Sequence, residues 1–509
     1  MIHFFLNGEA RIVQNPANDL TLLRYLRTQV TLPGTKEGCG SGDCGACSVL
    51  LGDYSADLGW RYRAVNSCLT LIPQLAGKSV ITVDALATGQ GAKQQLHPAQ
   101  QAMVDYHASQ CGFCTPGIVM SLAALHQDIN VADDTDPPGR HQINEALSGN
   151  LCRCTGYRPI IEAATHLQDY PDNRDQAVAV WQPEPLTANP ASPPADAVSA
   201  APQTEQQLQQ WLQQYPDARL VAGATDLALE ITQQLKTPDS MVAVNHIASL
   251  KQLRDEDDAL LIGAAVSYSE MEALLARYFP QFAQLLQRLG SRQVRNTGTL
   301  GGNIGNASPI GDTPPVLLAL GACIELASAP GHLSASGSRW LALKDFFIDY
   351  KKTALQPGEY IRTIKIPKLK KNQQLLVYKI SKRLEDDISA VLAAFKITVS
   401  DDQKVEQVTT GFGGMAAIPK AALQLEQALT ALPLDGDNFR RAAQALEQDF
   451  TPMSDVRASQ AYRLLVAKNL VHKCALELLQ PQQLSRIEDI HSSELALNAV
   501  ISGGETPNA

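Results

Sequence analysis

The stretch that follows Met1, IHFFLNGEARIV, alternates apolar and polar positions on either side of Asn7-Gly8. Period-two alternation interrupted by Asn-Gly predicts a β-hairpin, because that pair accepts the positive φ angles of a tight two-residue turn. In LTLLRYLRTQ (20–29) the apolar residues fall at helical spacing, and the segment is expected to pack across the hairpin's sheet. CSVLLGD and YRAVNSCLT add short strands, so residues 1–83 read as a small β-rich unit.

From 84 to 168 the pattern becomes that of short helices. His97-Pro98 opens AQQAMVDYHASQ and Thr115-Pro116 opens GIVMSLAALHQ, with proline in the first turn, where its missing N–H costs nothing. INEALSG (143–149) ends on glycine, and Pro159 starts IIEAATHLQ. Four helices with cysteine pairs at their ends predict a small bundle around two loops.

Residues 169–203 are rich in Pro, Ala and Ser and lack apolar periodicity, which predicts an extended surface linker. Beyond it, RLVAGATDLALEITQQL and ALLIGAAVSYSEMEALLARYF alternate strand-like and helix-like patterns, giving an α/β or α+β unit over 204–372. A last unit, 373–482, carries strand-like LLVYKISKR, VLAAFKITVS and EQVTTGFGGM followed by amphipathic helices. The tail 483–509, ending ISGGETPNA, is expected to be disordered.

A chain of 509 residues exceeds one core, and length alone suggests roughly three domains. With 45% hydrophobic and 18% charged residues the composition is that of a globular protein. The formal net charge of −10 is spread without basic runs, which argues against a nucleic-acid partner. No charged and apolar leader opens the chain, and its longest apolar run, near VLLALGACI, is about half of what a membrane span needs. A cytoplasmic protein without membrane contact is expected.

That compartment bears on the ten cysteines, eight of which lie in the first 154 residues. In a reducing cytosol such clustering points to metal ligands or redox groups rather than disulfides. Cys39, Cys44, Cys47 and Cys68 follow the plant-type ferredoxin spacing, a tight triplet plus one remote thiol. Two irons bridged by sulfide need four thiolates and a close-wrapping loop, and Gly38, Gly40, Gly42 and Gly45 permit one. The competing reading is a structural zinc, although zinc thiolates usually come as two separate C-x2-C knuckles. Cys111, Cys114, Cys152 and Cys154 form C-x2-C and C-x-C, which is compatible with zinc as well as with iron–sulfur. Cys323 and Cys474, in LGACIEL and KCALELL, are expected to be small buried hydrophobes.

SQCGFCTPG (109–117) and NLCRCTGYRPI (150–160) resemble the second [2Fe–2S] domain of the molybdenum hydroxylases, the family of xanthine dehydrogenases and aldehyde oxidases. EGCGSGDCGAC resembles that family's first cluster loop. The resemblance implies two [2Fe–2S] clusters on the eight named cysteines, and it sets Gln110 facing a molybdopterin held by another polypeptide. It implies a multi-domain α+β fold: a β-grasp ferredoxin-like domain, a helical [2Fe–2S] bundle, a vanillyl-alcohol-oxidase-like (PCMH-type) FAD domain and a small α+β C-terminal domain.

Two glycine-bearing segments follow the linker, LVAGATDL (220–227) and NTGTLGGNIGNASPIGD (296–312). Neither matches the G-x-G-x-x-G dinucleotide fingerprint, yet turns with free N–H groups at helix starts suit a pyrophosphate, and ordinary turns are the alternative. Both loops resemble the family's FAD clamp. On that resemblance Leu220, Val221, Ala222, Gly223, Ala224, Thr225, Asp226 and Leu227 form one wall. Thr299, Leu300, Gly301, Gly302 and Asn303 form another, with Ser308 and Asp312 at the cofactor. The family's S-P-I-S-D-L-N-P is SPIGDTPP in this chain, and an aromatic that often covers the flavin is replaced near Leu289. YKISKRLEDDISAV (378–391) adds Lys382, Arg383 and Asp387 as weaker flavin neighbours, against the alternative of a solvated charged segment.

The domain order resembles the small subunit of two-subunit xanthine dehydrogenases in this family. It implies that xanthine or hypoxanthine is hydroxylated in a molybdenum-bearing large subunit, paired with this chain as a heterodimer and assembled as a heterotetramer. Electrons would pass through both clusters to FAD and then NAD+, in purine catabolism. The alternatives are a subunit of a related aldehyde or N-heterocycle hydroxylase, a stand-alone NADH:acceptor diaphorase, and a non-enzymatic metal-binding redox sensor. No Ser/His/Asp or paired-carboxylate site stands out in the chain.

Overall fold

Asn7 and Gly8 both take positive φ, 55° and 84°, and close the hairpin of strands Ile2–Leu6 and Glu9–Val13. A computed structural model describes residues 1–486 except 90–93, 133–135, 187–198, 332–336, 385 and 484. The hairpin extends into a five-stranded sheet in the order Glu9–Val13, Ile2–Leu6, Ser79–Ile81, Ser48–Ser55, Gly59–Asn66, with Ile2–Leu6 and Ser79–Ile81 parallel. A short helix, Leu22–Arg24, runs on through Tyr25–Gln29 and lies across one face. There Leu22 and Leu26 bury against Phe4, Val49, Leu51 and Val80, as the helical spacing of 20–29 requires.

The sheet's other face presents Phe5, Leu50, Trp60 and Tyr62 to a core shared with helices Pro98–Asp105, Thr115–Val131, Arg140–Leu147 and Arg158–Thr165. A strand exposes alternate residues to opposite faces, so both faces of this small sheet can be apolar and one sheet can join two packing layers.

Residues 169–186, expected to run extended over the surface, instead contribute helical turns at Arg174–Ala177 and Val178–Trp181. Trp181 is buried, meets Tyr62 edge-on at a ring separation of 5.3 Å and stacks on His97 at 5.8 Å. Trp60 Nε1 donates to the Pro183 carbonyl over 2.7 Å. One tryptophan buries enough area to anchor a segment, yet a lone aromatic leaves no period for a sequence pattern to reveal. At the other end of the expected linker, Ser199–Ala200 pairs in parallel with Met241–Val242. Its residues 187–198 and the tail beyond 486 lie outside the described residues.

The following unit joins a three-stranded parallel sheet (Ser199–Ala200, Met241–Ala243, Arg219–Val221) to a five-stranded antiparallel one (Ser338–Ala342, Cys323–Ala327, Tyr360–Pro367, Ala259–Gly263, Leu253–Asp255). Helices Tyr268–Tyr278, Pro280–Gln287, Leu300–Asn306 and Thr313–Leu320 cover the latter around one core. The last unit is an antiparallel sheet, Gln373–Ile380, Val391–Val399 and Val405–Gly413, backed by helix Gln460–Leu479. The architecture is the expected multi-domain mixture of α and β. Among the described residues no helix is long and apolar enough to cross a membrane.

Candidate redox centres

The eight clustered thiols meet two by two. Cys47 Sγ lies 3.4 Å from Cys68 Sγ, and Cys39 pairs with Cys44 through a thiol–thiol hydrogen bond. In the helical unit Cys111 pairs with Cys154, and Cys114 with Cys152. A single tetrahedral ion would need its ligands to close on one point, and among the described residues no three Cys, His, Asp or Glu side chains do so. Two thiols per metal, on two adjacent metals, is the demand of a [2Fe–2S] cluster, and these donor sets fit that demand.

The loops are shaped for sulfur. The N–H of Cys39 donates to Cys44 Sγ and that of Ser41 to Cys39 Sγ, each over 3.3 Å. The hydrogen bond from the Cys44 thiol outweighs burial and, with donors from Ser41, draws the Cys39 thiol down to about 4. The Cys68 thiol likewise lowers Cys47 against the opposing effect of burial. Burial and the neighbouring Cys152 push the Cys114 thiol up to about 12. At Gly38 a Cβ would sit 2.7 Å from Cys44 Sγ, so only glycine lets the loop wrap that thiol.

The two thiol sets differ in exposure. Cys47 and Cys68 are buried, whereas Cys111 and Cys154 are exposed. Gln110 is exposed next to them, as are Phe113 (48%) and Leu151 (57%), which is unusual for apolar side chains of this size. Between the sets the backbones nearly touch. A Cβ on Gly45 would lie 2.1 Å from the Gly149 carbonyl oxygen, and one on Gly117 2.1 Å from that of Gly45. The Leu151 N–H donates to the Cys44 carbonyl over 3.0 Å. Asn150 Nδ2 donates to the Gly45 carbonyl, and its Oδ1 accepts from Ser121 and from Gln293 of the next unit.

Glycine also decides the approach of the two loops beyond the linker. A Cβ on Gly223 would fall 2.0 Å from the Thr297 carbonyl oxygen, so the first loop reaches the second only without a side chain there. Ala224 takes a positive φ of 58°, which turns the chain into helix Leu227–Thr232. Among the described residues no protein acceptor meets the N–H groups of Gly223, Ala224, Thr225, Asp226 or Leu227. Five successive free donors at a turn are suited to a phosphate. Thr299 caps helix Leu300–Asn306, its hydroxyl accepting from the Gly302 N–H over 3.0 Å. Gly302 and Gly305 are exposed one turn apart, leaving that helix face bare for close contact with a flat or charged group. These residues fit a dinucleotide such as FAD.

The predicted polar contacts divide. Asn303 Oδ1 is taken by the Thr313 hydroxyl at 2.6 Å, and Ser308 accepts from the Ile310 N–H. Asp312 is buried, with Lys379 Nζ at 2.7 Å and the Ser389 hydroxyl at 2.5 Å. Lys382, Arg383 and Asp387 are not brought to the glycine loops by any contact among the described residues. Lys382 reaches the Val456 carbonyl, while Arg383, 73% exposed, pairs with Asp387 at 3.4 Å. Lys379 was the missed residue of that segment, signalled by one lysine inside the apolar run LLVYKI. Cys474 is buried as expected, whereas Cys323 is partly exposed at the start of its strand.

The thiol pairs and the glycine loops meet across the domain boundary. Cys47, Cys68 and Leu69 share one apolar cluster with Val221, Ala224, Ala228 and Ile231. Gln233, at the end of helix Leu227–Thr232, donates to the carbonyls of Cys39 and Gly40.

Four family models match the chain: a 2Fe-2S iron-sulfur cluster binding domain at residues 4–72, a [2Fe-2S] binding domain at 82–165, the FAD binding domain in molybdopterin dehydrogenase at 196–369, and the CO dehydrogenase flavoprotein C-terminal domain at 376–478. The xanthine dehydrogenase of Drosophila subobscura is 31% identical over 99% of this chain and 40% of its own length. That of Emericella nidulans is 32% identical over 100% of this chain and 41% of its own length. The chain thus spans about two fifths of the curated relatives it matches. Among solved structures, a chain of a Cu,Mo-CO dehydrogenase aligns with a TM-score of 0.50 at 26% identity, over 54% of this chain and 94% of that one.

Proposed function

Because this chain is an iron–sulfur and flavin member of the molybdenum hydroxylase family, we propose that it is the electron-transfer subunit of an NAD+-dependent xanthine dehydrogenase. The observation that carries the reading is the apolar cluster joining Cys47 and Cys68 to Val221 and Ala224, which packs two thiols of the ferredoxin-type set against the first glycine loop. When bound, the two clusters and the flavin would carry electrons singly from a partner's molybdenum and deliver them in pairs to NAD+.

The chain's own residues hold, wire and shield these groups, and no general base is required of them. Cys111, Cys114, Cys152 and Cys154 would hold the entry cluster at the surface, where exposed Gln110, Phe113 and Leu151 supply a face for the molybdenum-bearing large subunit. Cys39, Cys44, Cys47 and Cys68 would hold the second cluster in a drier site, since Cys47 and Cys68 are buried. The free N–H groups of 223–227 would bind the FAD pyrophosphate, and Gly302 and Gly305 would allow its close approach. Lys379, 2.7 Å from the buried Asp312 carboxylate, fixes that side chain beside this cradle.

The test is to isolate the chain with whatever binds it. Iron, sulfide, flavin and molybdenum are measured, and NAD+ reduction is followed with xanthine. Two [2Fe–2S] clusters and one FAD per chain, a molybdenum partner and xanthine-dependent NADH formation are expected. Turnover of an aldehyde with none of xanthine would overturn the substrate, and oxygen consumption without NADH would overturn the acceptor.

A further inference from the structure

The turn at residues 148–151 of the helical unit runs directly into Cys152 and is gripped from two sides. On one side lies the first thiol loop, where a Cβ on Gly45 would overlap the Gly149 carbonyl oxygen. On the other side lies the flavin unit. There a Cβ on Gly149 would overlap Gln293 Oε1 and stand 2.6 Å from Ser291 Cβ. The Arg292 N–H donates to the Ser148 hydroxyl over 2.9 Å. The turn is thus held between a cysteine loop and a segment of the flavin unit that supplies no thiol.

A directed chain of hydrogen bonds runs through this grip, among side chains that are almost wholly buried. Gln293, Ser121 and Asn150 are 0%, 1% and 3% exposed. Gln293 Nε2 donates to both Asn150 Oδ1 and Ser121 Oγ, each over 2.9 Å. Ser121 Oγ donates to Asn150 Oδ1 over 2.7 Å, and Asn150 Nδ2 donates to the Gly45 carbonyl over 3.2 Å. The direction is fixed by its two ends. Reversing the Asn150 amide would set N–H against N–H at Gln293 and oxygen against oxygen at Gly45, a costly mismatch in a dry interior. Gln293 Oε1, by contrast, meets no donor among the described residues. Buried side-chain oxygens are paired in the large majority of cases, so this glutamine holds its place by its donor end.

We infer that Gln293 is a positioning residue for electron exchange between the two thiol sets: it orients Asn150, and Asn150 fixes the turn before Cys152 on the Cys44 loop. The inference rests on the proposed reading of both sets as [2Fe–2S] ligands. One electron would leave one cluster and enter the other with no bond made or broken, so the separation of the two loops governs the exchange. Without the Gln293 donors the turn keeps the Leu151 N–H bond to Cys44, but the Asn150 amide is free to rotate and the loops separate. The flavin unit therefore completes the geometry of two centres whose ligands it does not supply.

The full chain with its cofactors, reduced with dithionite and frozen for EPR, tests this directly. Each reduced cluster is paramagnetic, and the dipolar interaction between two of them falls with the cube of their separation. The parent should give two cluster signals, each broadened by the other at low temperature. Gln293→Met keeps the length of the side chain and removes both donors. It should narrow the signals and slow the exchange several-fold, with iron and sulfide content at the parental level. Arg292→Met leaves the backbone N–H and the amide chain in place and should keep the parental interaction. Parental broadening in Gln293→Met overturns the inference, and so does an equal loss in Arg292→Met. If Gln293→Met does not fold, Ser121→Ala decides, because it removes only the hydroxyl that both amides share. Narrowed signals there support the inference and an unchanged spectrum overturns it. A parent without two cluster signals would overturn the proposed function, and the inference with it.

Discussion

The N–H of Leu151 donates to the carbonyl of Cys44 over 3.0 Å, and Leu151 directly precedes Cys152. A single hydrogen bond therefore joins a cysteine of one thiol set to the neighbour of a cysteine in the other. On the proposed order of electron flow this bond lies on a bonded route between the two thiol sets. Leu151→Pro removes the donor and with it a hydrogen bond worth about 0.5–1.5 kcal/mol. Electron arrival at the second cluster and at FAD should slow several-fold in rapid freeze-quench EPR, while substrate reduces the entry cluster at the parental rate. Cys44→Ser should likewise leave molybdenum reduction intact and slow the flavin. Unchanged flavin kinetics in both variants would refute the order.

Gly223→Ala places a methyl group 2.0 Å from a backbone oxygen that a flexible side chain cannot vacate. Overpacking of this kind costs about 1–3 kcal/mol. The loop should withdraw and FAD affinity fall about 10–100-fold, with iron and sulfide content unchanged. The flavin-to-iron ratio of the purified chain is the readout, and a parental ratio would disconnect this loop from the flavin.

The Lys379–Asp312 pair is almost wholly dry, its side chains 1% and 9% exposed. Removing one partner from such a pair typically costs about 3–5 kcal/mol, because the other charge stays behind in low dielectric. Lys379→Met should lose stability on that scale in urea unfolding. The double variant Lys379→Met/Asp312→Asn, which leaves no charge, should recover much of the loss.

His97 and His126 face each other with ring centroids 5.3 Å apart in the core under Trp181. Burial, then mutual repulsion, lowers His97 to about 3, and burial lowers His126 to about 4. Both are neutral when folded, and each takes up a proton near 6.5 when unfolded. Their contribution to stability is therefore complete above pH 6.5 and declines as pH falls from there towards 4 and 3. The slope is about 1.4 kcal/mol per pH unit for each group. Urea midpoints between pH 7 and 4 should fall less steeply in His126→Phe than in the parent, and parallel slopes would dismiss the pair as the cause.

Much of this molecule is legible in its sequence. The hairpin at Asn7-Gly8, the helices after Pro98, Pro116 and Pro159, and the final sheet follow from periodicity and local turn chemistry, which act within a few residues. The residues 169–186 were not legible, because Trp181 earns its place through Tyr62 and His97, distant in the chain and carrying no local mark. Lys382, Arg383 and Asp387 stand out as a charge run, yet the side chain of that segment that enters the interior is Lys379. In a strand, alternation decides which residue faces inwards, and a charge count does not contain that phase.

By itself the sequence determined the mixed α+β class, the two groups of four cysteines and the two glycine loops, since spacing and residue type suffice for each. Only the tertiary structure decided that the thiols pair as Cys39 with Cys44, Cys47 with Cys68, Cys111 with Cys154 and Cys114 with Cys152. It alone brought Cys44 to Leu151, Asn150 to Gln293, and Arg63 to Glu270. These are contacts between separate units, made when apolar faces such as Cys47, Cys68, Val221 and Ala224 are driven out of water together. The hydrophobic effect has no direction of its own, so shape complementarity between folded surfaces selects which polar groups finally meet.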